Sequence, residues 1–82
     1  MAKLHRLTVA CINEDTQHSV FNWVKEYWSK EVTESIMHDT EENEPGAQYY
    51  LTFVGTKRNL NNMRDDIFEV YGKEDIYDIY YT

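Results

Sequence analysis

Apolar residues recur along this chain with two different spacings, and the order in which the spacings alternate limits the fold more than any other feature. Four stretches alternate at period 2, as half-buried strands do, and two repeat at the 3.6-residue period of an amphipathic helix. They follow one another as βαββαβ. The first strand pattern covers Leu4 to Ile12, with Leu7, Val9 and Cys11 on one face and Arg6, Thr8, Ala10 and Ile12 on the other. A polar turn, Asn13-Glu14-Asp15-Thr16, follows, and Asp15 or Thr16 suits the N-cap of a helix. That helix is predicted from about Thr16 to Lys30, with Val20, Phe21, Val24, Tyr27 and Trp28 at helical spacing and Trp23 widening the arc. The second strand pattern is Val32 to Asp39. A long acidic turn, Thr40 to Gly46, holds the only proline, Pro45. Ala47 to Val54 alternates again, with Tyr49, Leu51 and Phe53 against Tyr50, Thr52 and Val54. Gly55 ends it and Thr56 is a natural N-cap. A second helix is predicted from Lys57 to Tyr71, its stripe made of Leu60, Met63, Ile67 and either Val70 or Tyr71, with Gly72 at the C′ position. Ile76 to Tyr81 is the last strand, with Tyr77, Ile79 and Tyr81 opposite Ile76, Asp78 and Tyr80.

This order predicts an α+β fold: one four-stranded antiparallel sheet, strand order 4-1-3-2, with two helices on one face. That arrangement is the ferredoxin-like plait. It places strands one and three in the middle, and those are the two most apolar strands. Acidic residues crowd onto the other two and their connections. Residues 31–44 carry Glu31, Glu34, Asp39, Glu41, Glu42 and Glu44 with no Lys or Arg, and residues 65–78 carry six acids against Lys73 alone. Charged edges oppose strand-to-strand aggregation. Right-handed crossovers put both helices over the same face. The opposite face should then present Thr8, Tyr50, Thr52, Asp78 and Tyr80, or their alternates if the pleat is reversed.

Eighty-two residues, 1–82, suit a single domain of modest stability, because a chain this short hides only about 60–65% of its unfolded surface. An aromatic content of 15% offsets that and argues for a packed core. Net charge is −7 with pI near 4.7, which repels a free nucleic-acid duplex and attracts a basic protein. One cysteine, Cys11, permits no disulfide within the chain and fits a reducing, cytoplasmic setting. The apolar run Leu7 to Ile12 is too short for a signal core or a membrane span.

Motifs that carry chemistry are few. There is no zinc spacing, phosphate-binding loop, nucleophile elbow or dinucleotide glycine pattern. No cofactor or catalytic residue is therefore assigned. His5, His18 and His38 fall on different elements and read as ordinary histidines. Asp65, Asp66 and Glu69 lie within one helical turn, where they fit a solvated face and also the oxygen set of a hard cation. Glu14 and Asp15 lie just past the first strand. In that placement the chain resembles the small CRISPR-associated plait nucleases, which implies a metal-dependent hydrolase. Thr56, Lys57, Arg58 and Asn59 form the one basic spot, at the start of the second helix, where free backbone N–H groups suit an anion. Tyrosines crowd strands three and four. The first strand lacks the stacking aromatics of an RNA-binding plait, so a protein contact suits them better. Trp23 and Trp28 read as core-filling, with one of them a possible anchor.

The leading expectation is a non-enzymatic protein-binding domain that meets a basic surface, or a nucleic-acid-binding enzyme, through Glu34, Asp39, Glu41, Glu42, Glu44, Tyr50, Asp78 and Tyr80. Its sharpest form is charge mimicry, carboxylates imitating phosphates. In size and charge the chain resembles the small acidic proteins of phages and mobile elements. The alternative is a regulatory plait, dimeric through its sheet, that holds a small anion at Thr56, Lys57 and Arg58. The third is a metal-dependent hydrolase using Glu14, Asp15, Asp65 or Asp66.

Overall fold

A computed structural model describes residues 3–38 and 49–82. Its elements are β1 (Leu4–Cys11), α1 (Glu14–Tyr27), β2 (Val32–His38), β3 (Tyr49–Thr56), α2 (Lys57–Asp75) and β4 (Ile76–Tyr81). The strands form one sheet in the order β2-β3-β1-β4, which is the predicted order read from the other edge, and every neighbouring pair is antiparallel. The predicted turn over Thr40 to Gly46, the end of the second strand at Asp39 and the start of the third at Ala47 lie outside the described residues.

The alternation of β1 and β3 decides which face is the core. Leu7 pairs with Phe53 and Val9 with Leu51. These residues and Cys11 are fully buried against Val20 and Val24 of α1 and Leu60, Met63 and Ile67 of α2. Both helices thus lie on one face, with Ile76 closing the cluster. Trp23 and Trp28 pack half-buried on its margin. The pleat is the predicted one: Thr8, Thr52, Ala10 and Tyr50 face the other way.

Several boundaries differ from the sequence reading. Helix α1 starts two residues early, because Asn13, extended at φ −141°, is the N-cap. Its Oδ1 accepts from the Thr16 amide at 2.8 Å, so Asp15 and Thr16 lie inside the helix. Glu14 and Asp15 then sit in the first turn, where the helix dipole favours acids. The helix also stops at Tyr27. The Trp28 amide donates to the Val24 carbonyl at 2.8 Å, and the Trp28 carbonyl receives Glu31 and Val32, turning the chain into β2. Tyr27 does not join the buried stripe; it is 64% exposed. On α2, Tyr71 continues the stripe and Val70 faces outward.

Two glycines are required. Gly72 interrupts α2 at φ 72°, ψ 179°, a conformation open in practice only to glycine. Gly55 does not end β3, which runs on to Thr56. A Cβ at residue 55 would lie 2.9 Å from the Glu31 carbonyl oxygen. That close approach accompanies a bulge, since Val32 pairs with Gly55 and Glu34 already with Val54. Among the described residues, no helix is long and apolar enough to cross a membrane.

Candidate functional site

The sheet face opposite the helices has β3 and β1 at its centre and β2 and β4 at its edges. Its middle is closed by hydroxyls. Thr8 and Thr52 face each other on the two central strands, their Oγ1 atoms 3.1 Å apart. Thr52 Oγ1 also meets Nε2 of His38 at 2.9 Å, and Thr8 Oγ1 lies 3.5 Å from that of Thr82. A hydrogen-bonded strip, His38–Thr52–Thr8–Thr82, therefore crosses the sheet from β2 to the end of β4. Thr8 is 3% and Thr52 4% exposed. Among the described residues no buried side-chain nitrogen or oxygen lacks a partner. Each buried hydroxyl of the strip therefore has a partner within it.

Tyr50 stands beside this strip, opposite Ala10 on β1 and His38 on β2. Its ring stacks on the His38 ring at 5.7 Å between centroids, with 18° between planes. It is fully buried, which corrects the expectation of an exposed contact tyrosine. Ala10, also fully buried, packs with it. Gln17 of α1, also buried, holds the same corner from the core side. Its Nε2 donates to the carbonyls of Tyr50 at 3.1 Å and His38 at 3.3 Å.

The expected acidic residues sit at the edges. Glu34 is exposed on β2, opposite Val54. Asp78 is exposed on β4, opposite Ala10, and its Oδ1 accepts from the Ile79 amide at 2.9 Å. Tyr80, half-buried, lies across from Thr8. Asp39, Glu41, Glu42 and Glu44 lie outside the described residues. The structure thus puts Glu34, Asp78, Tyr80 and Tyr50 on one face, with Glu34 and Asp78 on opposite edges rather than in one cluster. Acid–base pairing is sparse. Among the described residues the ion pairs are Glu14 with His18 at 3.5 Å and Arg64 with Asp65 at 3.6 Å, both at the surface.

The basic spot at the start of α2 is engaged with its own surroundings. Thr56 is the N-cap, as predicted, its hydroxyl accepting from the Asn59 amide at 3.3 Å. The Lys57 ammonium lies 5.5 Å from the centre of the Tyr81 ring. The Tyr81 hydroxyl in turn bonds the Asn61 side chain and reaches the Lys57 carbonyl at 3.5 Å. Arg58 is exposed. Glu14 and Asp15 open α1, while Asp65 and Asp66 lie midway along α2. Among the described residues no three His, Cys, Asp or Glu side chains converge as a metal site would need. Burial pushes the Cys11 thiol up to about 12, so it stays protonated.

The hydroxyl strip and the Gln17 clamp were missed in the sequence reading. Thr8 and Thr52 were both assigned to the open face, and cross-strand threonines hydrogen-bond. That signal was present. His38 could not be placed, because the bulge after Val32 shifts the register of β2 by one residue and no residue pattern marks it.

No protein-family model matches the chain, and no curated protein matches it. Among solved structures, a de novo designed protein with ferredoxin fold, determined by solution NMR, is similar over 100% of this chain and 84% of its own, at 14% identity and a TM-score of 0.50. At that identity the likeness is one of fold. The chain has the ferredoxin-like α+β fold.

Proposed function

We propose that this protein is a small acidic binding domain that docks on a basic protein surface and blocks it by presenting carboxylates where the partner expects phosphates. The observation that carries this reading is the excess of unneutralised acid. Net charge is −7, and among the described residues only Glu14 and Asp65 have a basic side chain within ion-pair distance. Exposed carboxylates left unpaired raise a negative field that steers cationic partners. Asp39, Glu41, Glu42 and Glu44 alone supply four of the seven net charges. Glu34 and Asp78 extend that acid to both sheet edges, and Tyr80 adds half-buried aromatic surface two residues from Asp78 on β4. A reduced, buried Cys11 fits a cytoplasmic site of action.

The test is a salt-dependent competition. Immobilised protein should retain a basic nucleic-acid-binding protein from extracts of its source cells at low salt. The purified pair should dissociate as salt rises, with affinity falling at least about tenfold between 50 and 200 mM. The protein should also displace duplex DNA from that partner. Salt-insensitive binding, or a partner that holds DNA and this protein together, refutes mimicry.

A further inference from the structure

We infer that the outer edge of β2 accepts an extended segment of the basic partner as a fifth strand, with alternate side chains of that segment entering the groove between β2 and α1. This rests on the acidic docking reading above and specifies how the partner is held. Three observations on different levels meet here.

The first is backbone. β2 ends the sheet, bonded to β3 on one side only. Among the described residues, no backbone hydrogen bond reaches its outer edge between Thr33 and Met37. Such an edge is a template for an added strand. The second is shape. Beside that edge lies an open groove of about 260 Å³, with Phe21, Lys25 and Ser29 of α1 on one wall and Val32 and Ser35 of β2 on the other. Phe21 and Val32 pack on the core and give it an apolar floor. The Lys25 ammonium lies over the Phe21 ring at 5.0 Å, so it is turned onto the wall. The third is charge. Glu34 lines the same groove, is exposed, and has no cationic partner within ion-pair distance among the described residues.

Register converts these into a sequence preference for the occupant. Glu34 pairs with Val54 on the open face, and Ser35 with Phe53 on the core-facing side. An incoming residue opposite Glu34 is therefore Lys or Arg, the favourable cross-strand charge pair. Its neighbour, opposite Ser35, points toward Phe21 and is apolar. The occupant is an extended segment that alternates basic and apolar residues. A second copy of this chain does not fit, because it would bring another Glu34 and a second net charge of −7 onto the same edge.

The probe is the acetylated, amidated heptapeptide Lys-Val-Lys-Val-Lys-Val-Lys, titrated into isotope-labelled full-length protein. Controls are the same composition as four lysines followed by three valines, and two versions of the alternating peptide N-methylated at every valine or at every lysine. Strand addition predicts shifts of the Thr33 to Met37 amides together with Phe21 and Ser29, and slowed exchange of β2 amides. It predicts binding at least about tenfold weaker for the block peptide and for one of the two N-methylated peptides, since only one set of amides faces β2. Glu34→Lys should lose at least about tenfold with an unchanged circular dichroism spectrum. If all four peptides bind alike, or shifts fall outside β2 and the groove, strand addition is overturned while acidic docking stands. If no peptide moves the β2 amides at low salt, the edge is merely a protected one and the inference fails. The DNA competition decides the broader reading separately.

Discussion

Replacing Thr52 by valine should destabilise the fold more than replacing Thr8, although the two residues are equally buried and face each other. The reason is their place in the hydrogen-bonded strip. Thr52 bonds two groups, His38 Nε2 at 2.9 Å and Thr8 Oγ1 at 3.1 Å. Thr8 has Thr52 and, at 3.5 Å, the exposed Thr82. Removing the Thr8 hydroxyl costs one good bond, about 0.5–1.5 kcal/mol, and leaves Thr52 still paired with His38. Removing the Thr52 hydroxyl breaks two bonds and leaves the buried Thr8 hydroxyl only the 3.5 Å contact to Thr82, for about 1–3 kcal/mol. For a domain of this length each kcal/mol moves Tm by about 4–8 °C. The double valine variant should lose less than the sum of the singles, by roughly 0.5–1.5 kcal/mol, since no hydroxyl is then left waiting for its partner. Urea unfolding at constant slope measures all three. Equal effects of the two single changes, or strict additivity, would refute the strip as a connected unit.

Gly72→Ala should lower stability by about 1–2 kcal/mol through backbone strain alone, because nothing lies within 4 Å of the added Cβ, and D-alanine at the same place should restore or exceed the parent Tm. Gly55→Ala should cost about 1–3 kcal/mol by a different route, overpacking against the Glu31 carbonyl oxygen, and D-alanine scanning is uninformative there because φ is not positive. The Cys11 thiol is pushed from 9.0 to about 12, so the folded state holds its proton longer than the unfolded chain; stability should fall from pH 9 toward 12 relative to Cys11→Ala, and thiol reagents at pH 8 should label only after unfolding. Reversing Glu41, Glu42 and Glu44 to Lys should leave Tm within a few degrees and weaken partner binding at least about tenfold; unchanged affinity would remove that segment from the contact.

The order of periods identified every element, and the apolar excess of Leu4–Cys11 and Tyr49–Thr56 pointed to the two central strands, whose core-facing residues Leu7, Val9, Leu51 and Phe53 lie under both helices. Helix ends were read less well. Asn13 and Asp15 have similar capping chemistry, and only the chain geometry after β1 chooses between them. Tyr27 fits the helical stripe by spacing, but it is exposed in the last turn while Trp28, one residue on, packs on the core. Tyr50 was read as surface because tyrosines on a sheet face usually are. Its ring stacks on His38, whose register is set by a bulge at Thr33 that no residue pattern marks.

The same strip bears on what this face can recognise. Base stacking requires an exposed aromatic ring at a central strand. Here the central positions are Thr8, Ala10, Tyr50 and Thr52, and all four are buried. The one ring among them already stacks on His38. Among the described residues, a nucleic acid approaching this face would meet the carboxylates of Glu34 and Asp78 at its two edges, losing phosphate solvation with no exposed central ring for stacking. A basic protein meets the same surface with the opposite sign at both edges. On the proposed reading, carboxylates at both margins and the lack of an exposed central ring among the described residues are what would favour a basic protein over a nucleic acid.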